Sequence, residues 1–278
     1  MKLIKTISFI LVVIITGFLL RNIFVDRLVE NSSNSNFSQV AKSLSNPYKL
    51  SVWGSSTAYI NVDAKTLKNQ LKIECYNFGI SGAFFNQLQH LKYFAKNNPN
   101  TNIVWVVNPY EFKEDVDSKL KEEAFFTPFS YQLGNGFDYI FGWRQIYHFN
   151  SEHWSIILKD KNFNEFDEYG NLLITKEFRS ENGYYGDANP FNFSNQKIQE
   201  FNKIANQIKK ENNLIIVLPP YLGNTNFKQL KTQLGKNIID YSDWSKNPLD
   251  FHDYIHLNKD AALKLSEELA KDLKPILR

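Results

Sequence analysis

A single cysteine in 278 residues, Cys75, rules out an intrachain disulfide. It stands in an apolar run and reads as a small buried side chain. Metal-ligand spacings are missing as well. The five histidines are scattered, and the chain has no HExxH or CxxC pattern. No metal or organic cofactor is expected. Charge of one sign is scarce: the formal net charge is +3, and no dense basic stripe runs along the chain. Nucleic acid is therefore not an expected partner. No internal repeat is present. With 43% hydrophobic and 22% charged residues the composition is that of a globular protein, not a disordered one. The length suits one sizeable α/β domain or two small ones. The abundance of Asn, Lys, Phe and Tyr follows genome composition and is given no functional weight.

The N-terminus holds the longest apolar run. Lys2 and Lys5 precede Ile7 to Leu20, and Arg21 follows. A run this short fits a signal-peptide core as well as a thin membrane helix. No small-x-small cleavage pattern comes after it, and no cysteine is there to carry a lipid. Ile23, Phe24 and Val25 extend the span to about 20 residues. The expected arrangement is an uncleaved signal anchor over residues 1–25, with its basic end in the cytoplasm and the membrane as a partner. A cleaved signal peptide is the alternative, and either places the remainder outside the cytoplasm. Residues 26–46, with the polar stretch 31–36, read as a tether. The domain follows over 47–278.

Within that domain, apolar runs at 50–53, 73–77, 103–107, 214–218 and 238–239 end in loops rich in Gly, Ser, Asn or Pro. Helical patterns alternate with them at 84–96, 198–210 and 259–273. The last puts Ala262, Leu265, Leu269 and Leu273 on one face. This alternation predicts βαβ units and a parallel sheet, with a ligand site at the carboxyl ends of the strands. Residues 110–195 break the rhythm and read as an insertion with its own helices. Its aromatics (Phe125, Phe126, Tyr139, Phe141, Trp143, Tyr147, Trp154) are either a substrate groove or the insertion's core.

Four short patterns carry chemistry. Asp253 and His256 stand three apart before the last helix, close enough to hydrogen-bond, so that the carboxylate fixes the imidazole tautomer. The other reading is an ordinary helix entry capped by Asn258. His252 and Asp250 compete for the two roles, but His252 lacks an acid at that spacing and Asp250 is less well placed. Gly54-Ser55-Ser56 follows the first strand, where a helix N-terminus would stabilise an oxyanion, or where a bland loop would suffice. Asn77-Phe-Gly-Ile-Ser-Gly82 follows the second strand. Gly82 there admits a close backbone N–H, or Ser81 simply caps a helix. Asn108 follows the third, as an oxyanion donor or as half of an Asn-Pro turn.

In this order the patterns resemble the SGNH (GDSL-like) hydrolase superfamily over most of residues 50–270. Block I falls at Gly54-Ser55-Ser56, block II at Gly79-Ile80-Ser81-Gly82, block III near Asn108 and block V at Asp253-x-x-His256. Block III departs from the family's Gly-x-Asn-Asp, reading Val106-Val107-Asn108-Pro109. The resemblance implies a three-layer α/β/α, flavodoxin-like domain around a central parallel sheet. Ser56 would be the nucleophile, His256 the base and Asp253 its orienting acid. The backbone N–H groups of Ser56 and Gly82, with the Asn108 amide, would hold the oxyanion. Gly-Ser-Ser in place of Gly-Asp-Ser is similar to teichoic-acid D-alanylation (DltD-like) proteins. It is also similar to extracytoplasmic SGNH proteins that accompany membrane-bound O-acyltransferases, including those of alginate acetylation. The N-terminal anchor, the segment 166–170 and Leu218-Pro219-Pro220 agree with that group. The function so implied is a serine O-acyltransferase, acetyl by preference, acting on a cell-envelope or secreted polysaccharide beside a membrane-bound O-acyltransferase. A carbohydrate esterase and a non-catalytic polysaccharide-binding or assembly protein are the alternatives.

Overall fold

The structure, a computed structural model, describes residues 3–16, 48–79, 86–113, 167–172, 192–223, 226–235 and 237–277. They fall in two compact units. The N-terminal helix belongs to one; the other, Lys42–Lys119 with Asn164–Arg278, holds the sheet. That helix covers residues 3–16 with its side chains exposed. At 1.5 Å per residue its described part spans about 21 Å, short of the roughly 30 Å hydrocarbon core of a bilayer. Among the described residues no helix is long and apolar enough to cross a membrane. The spanning N-terminal helix expected from the sequence is thus not found there. Residues 17–47, which hold the rest of that segment and the tether, lie outside the described residues, as does most of the 110–195 insertion with all seven aromatics named above.

Five parallel strands form the sheet: β1 (Leu50–Gly54), β2 (Cys75–Asn77), β3 (Asn102–Val106), β4 (Asn213–Leu218) and β5 (Ile238–Asp240), in the order β2-β1-β3-β4-β5. The helices between them are α1 (Ser56–Asn61), α2 (Ala64–Leu71), α3 (Asn86–Asn97), α4 (Asn195–Ile208) and α5 (Phe227–Leu234), and α6 (Lys259–Leu273) follows β5.

The apolar runs of the central strands follow from burial on both faces. Trp53, Ile103, Trp105, Leu214 and Ile216 point to one face and pack with Leu91 and Phe94 of α3, Phe201 of α4 and Leu230 of α5. Leu50, Val52, Val104, Val106, Ile215 and Val217 point to the other and pack with Ala58 of α1, Leu67 of α2 and Leu265 and Leu269 of α6. Cys75 is a free, buried thiol in this second layer, and burial pushes its pKa up.

The chain leaves β1 for β2 on one side and then crosses to β3 on the other. The switch point of the sheet therefore lies between the carboxyl ends of β1 and β3, where open α/β sheets form their ligand crevice. Gly54 and Val106 are register partners there. Gly54 has φ +140°, and a Cβ on it would stand 2.4 Å from the Val106 carbonyl oxygen. Glycine is required at this place for the two strands to stay paired up to the turn that follows.

Candidate active site

After Gly54 the chain makes one extended residue, Ser55, and enters α1 at Ser56. This abrupt strand-to-helix turn sets Ser56, partly exposed, at the end of the sheet. Its N–H makes no hydrogen bond among the described residues, as befits the first turn of a helix. Ser55 is fully buried.

Asp253 and His256 lie in the loop before α6. The Phe251–Leu257 bridge closes this loop, and the His252 N–H donates to the His256 carbonyl at 2.7 Å. Asp253 uses both oxygens. Oδ1 accepts the backbone N–H groups of Ile255 and His256, each at 2.8 Å, and Oδ2 faces His256 Nδ1 at 2.7 Å. Nε2 of the same ring meets Ser56 Oγ at 2.8 Å. Serine, histidine and aspartate thus form one continuous relay across 200 residues of sequence. Burial by itself pushes the Asp253 carboxyl up. The His256 ring and the two backbone N–H groups outweigh it and hold the carboxyl below its usual range. Asn258 also caps α6, its Oδ1 accepting the Ala261 N–H at 2.9 Å, so the turn serves both readings of this motif. Asp250 is engaged elsewhere, accepting from the Ser245 hydroxyl.

Asn108 is buried beside this site. Its Nδ2 donates to Ser55 Oγ at 3.0 Å, and its Oδ1 accepts the Tyr110 N–H at 3.1 Å. It therefore makes the Asn-Pro turn and also reaches the loop that leads into Ser56. Gly82, Ser81 and the rest of 80–85 lie outside the described residues. Gly79 is described: its N–H donates to Asn77 Oδ1 at 2.9 Å, and a Cβ on it would stand 2.7 Å from the Tyr59 nitrogen. The segment at 167–170 is a turn whose Tyr169 carbonyl accepts the Asn77 N–H at 2.9 Å, flanking β2.

Two sets of residues escaped the sequence reading. One is a bracket of buried asparagines. Asn61, the last residue of α1, donates to the Ile255 carbonyl at 2.8 Å and accepts the Leu257 N–H at 2.8 Å, gripping the Asp253–His256 loop from both sides. Asn77 donates to the carbonyls of Ala58 (2.9 Å) and Val62 (2.8 Å), satisfying the C-terminal end of α1. Setting asparagine aside as genome composition was wrong for these positions. The signal was its place at strand and helix ends, where orphaned backbone groups need polar partners. The other set is aromatic: Tyr254 packs against Tyr110 and Tyr221, with ring centroids 5.7 Å away in each case. These rings come from the loops after β3 and β4 and from the Asp253–His256 loop itself.

No known family model matches this chain, and no curated protein matches it.

Proposed function

We propose that the protein transfers acyl groups through an ester on Ser56. One observation carries this: His256 Nε2 is 2.8 Å from Ser56 Oγ while Nδ1 is 2.7 Å from Asp253. With Nδ1–H donated to Asp253, Nε2 bears a lone pair and accepts the Ser56 proton. Ser56 Oγ attacks an ester carbonyl, and the oxyanion forms against the Ser56 N–H and the Asn108 amide, with the Gly82 N–H as the third donor that the resemblance implies. The carbon–oxygen bond to the alcohol then breaks, and His256 returns the proton to the departing alcohol. Water or a sugar hydroxyl attacks the acyl-Ser56 next, giving its proton to His256. Ser56 leaves and takes that proton back. Every step is redox-neutral.

The order of the parts supports an SGNH-type, flavodoxin-like domain: a serine after β1, an asparagine after β3 and Asp-x-x-His before the last helix. On that reading the acyl group is acetyl and the acceptor a cell-envelope or secreted polysaccharide. The basic-then-apolar N-terminus supports a place outside the cytoplasm, beside a membrane-bound O-acyltransferase. An esterase shares the acyl-enzyme and differs only in letting water win the second step. A bound glycan hydroxyl competes with water at about 55 M because well-oriented groups reach effective molarities of about 10⁵ M or more.

The test is hydrolysis of p-nitrophenyl acetate and acetyl transfer to an added oligosaccharide, the latter followed by mass spectrometry. Ser56→Ala abolishes both, and Ser55→Ala is milder. Wild-type turnover in Ser56→Ala would refute the acyl-enzyme. Deacetylation of an acetylated glycan with no transfer at any acceptor concentration would make the protein an esterase.

A further inference from the structure

Ser55 is a buried serine that these steps leave unused. It is the one extended residue between β1 and α1, 0% exposed, and its Oγ accepts from Asn108 Nδ2 at 3.0 Å. Asn108 lies two residues past Val106, the register partner of Gly54. The Ser55–Asn108 bond therefore joins the carboxyl ends of β1 and β3 at the switch point of the sheet.

Asn108 is also held from its own strand. Its carbonyl accepts the Glu111 N–H at 3.0 Å and its Oδ1 the Tyr110 N–H at 3.1 Å. It thus caps the short 3-10 turn Pro109–Phe112, which buries Glu111. A backbone N–H can only donate, so the amide oxygen lies on the Tyr110 side and the nitrogen on the Ser55 side. With its oxygen and one N–H engaged, the plane of the amide is set, and with it the direction of the second N–H. That hydrogen has no partner among the described residues, although Asn108 is only 7% exposed. A buried donor left unspent is costly and calls for an acceptor from outside the protein. Neighbouring Cα atoms are about 3.8 Å apart, so an amide bonded to Ser55 stands one residue from the nucleophile.

We infer that Ser55 is a positioning residue for acyl transfer. Its hydroxyl oxygen pins one N–H of the Asn108 amide and so aims the other at the oxyanion on the carbon bound to Ser56. Without the pin the amide turns about its Cβ–Cγ bond, whose torsion is soft, and the donor loses its aim. This rests on the Ser56 acyl-enzyme proposed above. Ser55 makes and breaks no covalent bond.

The experiment measures kcat and KM of the full chain on p-nitrophenyl acetate, with melting temperatures to check folding. Asn108→Ser keeps a capping oxygen for the Tyr110 N–H and withdraws the amide. It lowers kcat by roughly 10²–10³, as loss of a whole oxyanion donor does. Ser55→Ala leaves the donor in place but unaimed and lowers kcat about tenfold, a fraction of that loss, with KM changed less than about twofold. Ser55→Thr, which keeps the hydroxyl, recovers most of the loss. In the Asn108→Ser background Ser55→Ala costs nothing further, because its route is gone. If Asn108→Ser does not fold, Asn108→Asp takes its place in the cycle; if Ser55→Thr does not fold, the cycle decides alone. Wild-type kcat in Ser55→Ala overturns the inference, as do losses that multiply in the double variant and a folded Thr variant as damaged as Ala. An inactive Ser56→Ala alongside a silent Ser55→Ala fails this inference alone. An inactive wild type, or an active Ser56→Ala, fails the acyl-enzyme and this inference with it.

Discussion

Ser55 and Ser56 are neighbours with opposite surroundings: one is sealed against Asn108, the other faces His256. Asp253 shows a similar division within one side chain. Oδ1 is committed to two backbone N–H groups and Oδ2 to the ring. In Asp253→Asn the amide oxygen stays with the backbone pair and its NH₂ turns to His256 Nδ1. That nitrogen must then accept, so the proton moves to Nε2, where it blocks removal of the Ser56 proton. The expected loss in kcat is about 10³–10⁴, leaving the oxyanion donors to supply a residual rate. His256→Ala loses at least as much. His252→Ala stays within a few-fold of wild type; if it loses more than His256→Ala, the base has been misassigned. Ester hydrolysis by the three variants decides the matter.

At the scale of elements, the end of β1 is the most constrained place. Gly54→Ala combines a positive φ, which side chains rarely adopt, with a Cβ 2.4 Å from the Val106 carbonyl oxygen. Relief requires β1 and β3 to part exactly where Ser56 is launched. A cost of about 2 kcal/mol or more is expected. For a unit of this size that is a fall in Tm of about 4–8 °C, seen by calorimetry, with activity falling further than stability alone explains. A Tm unchanged within error would show that the strands yield easily there. The central strands were legible because two-sided burial writes continuous apolar runs, as in Val104 to Val106. β2 is shorter than its run, since Lys72, left-handed at the end of α2, keeps Ile73 in the bend that follows the helix. Helices α2 and α5 were missed. They are short and lysine-rich, and each buries one narrow stripe, Ala64 and Leu67 on α2 and Phe227, Leu230 and Leu234 on α5. The Asp253–His256 contact was one of two readings that the spacing allowed, the other being a helix entry capped by Asn258, and the turn makes both. The burial of Glu111 was not legible, because nothing in Asn108-Pro-Tyr-Glu111 tells that a 3-10 turn swings the acid inward.

For the whole molecule, two carboxyls tilt stability with pH in opposite ways. The lowered pKa of Asp253 contributes stability that is present above its unfolded value of about 3.9 and lost as pH falls through the folded value. Glu111 is raised by burial, so the folded state holds its proton more tightly than the unfolded chain. Its contribution declines as pH rises above about 4.3. Glu111→Gln removes that decline. Its Tm relative to wild type should climb between about pH 4 and the folded pKa, then level off. A difference that stays flat across this range would mean that Glu111 is ionised in the fold. The grip of Asn61 on the Ile255–Leu257 loop has a different consequence. α1 carries Ser56 at its first residue and the clamp on the base loop at its last, so the two reacting groups ride on one carrier. A tremor of α1 moves serine and imidazole together and leaves the gap between them unchanged. On warming, such a pair should keep its aim until the carrier itself gives way, so that heat ends the proposed ester chemistry in step with melting rather than ahead of it.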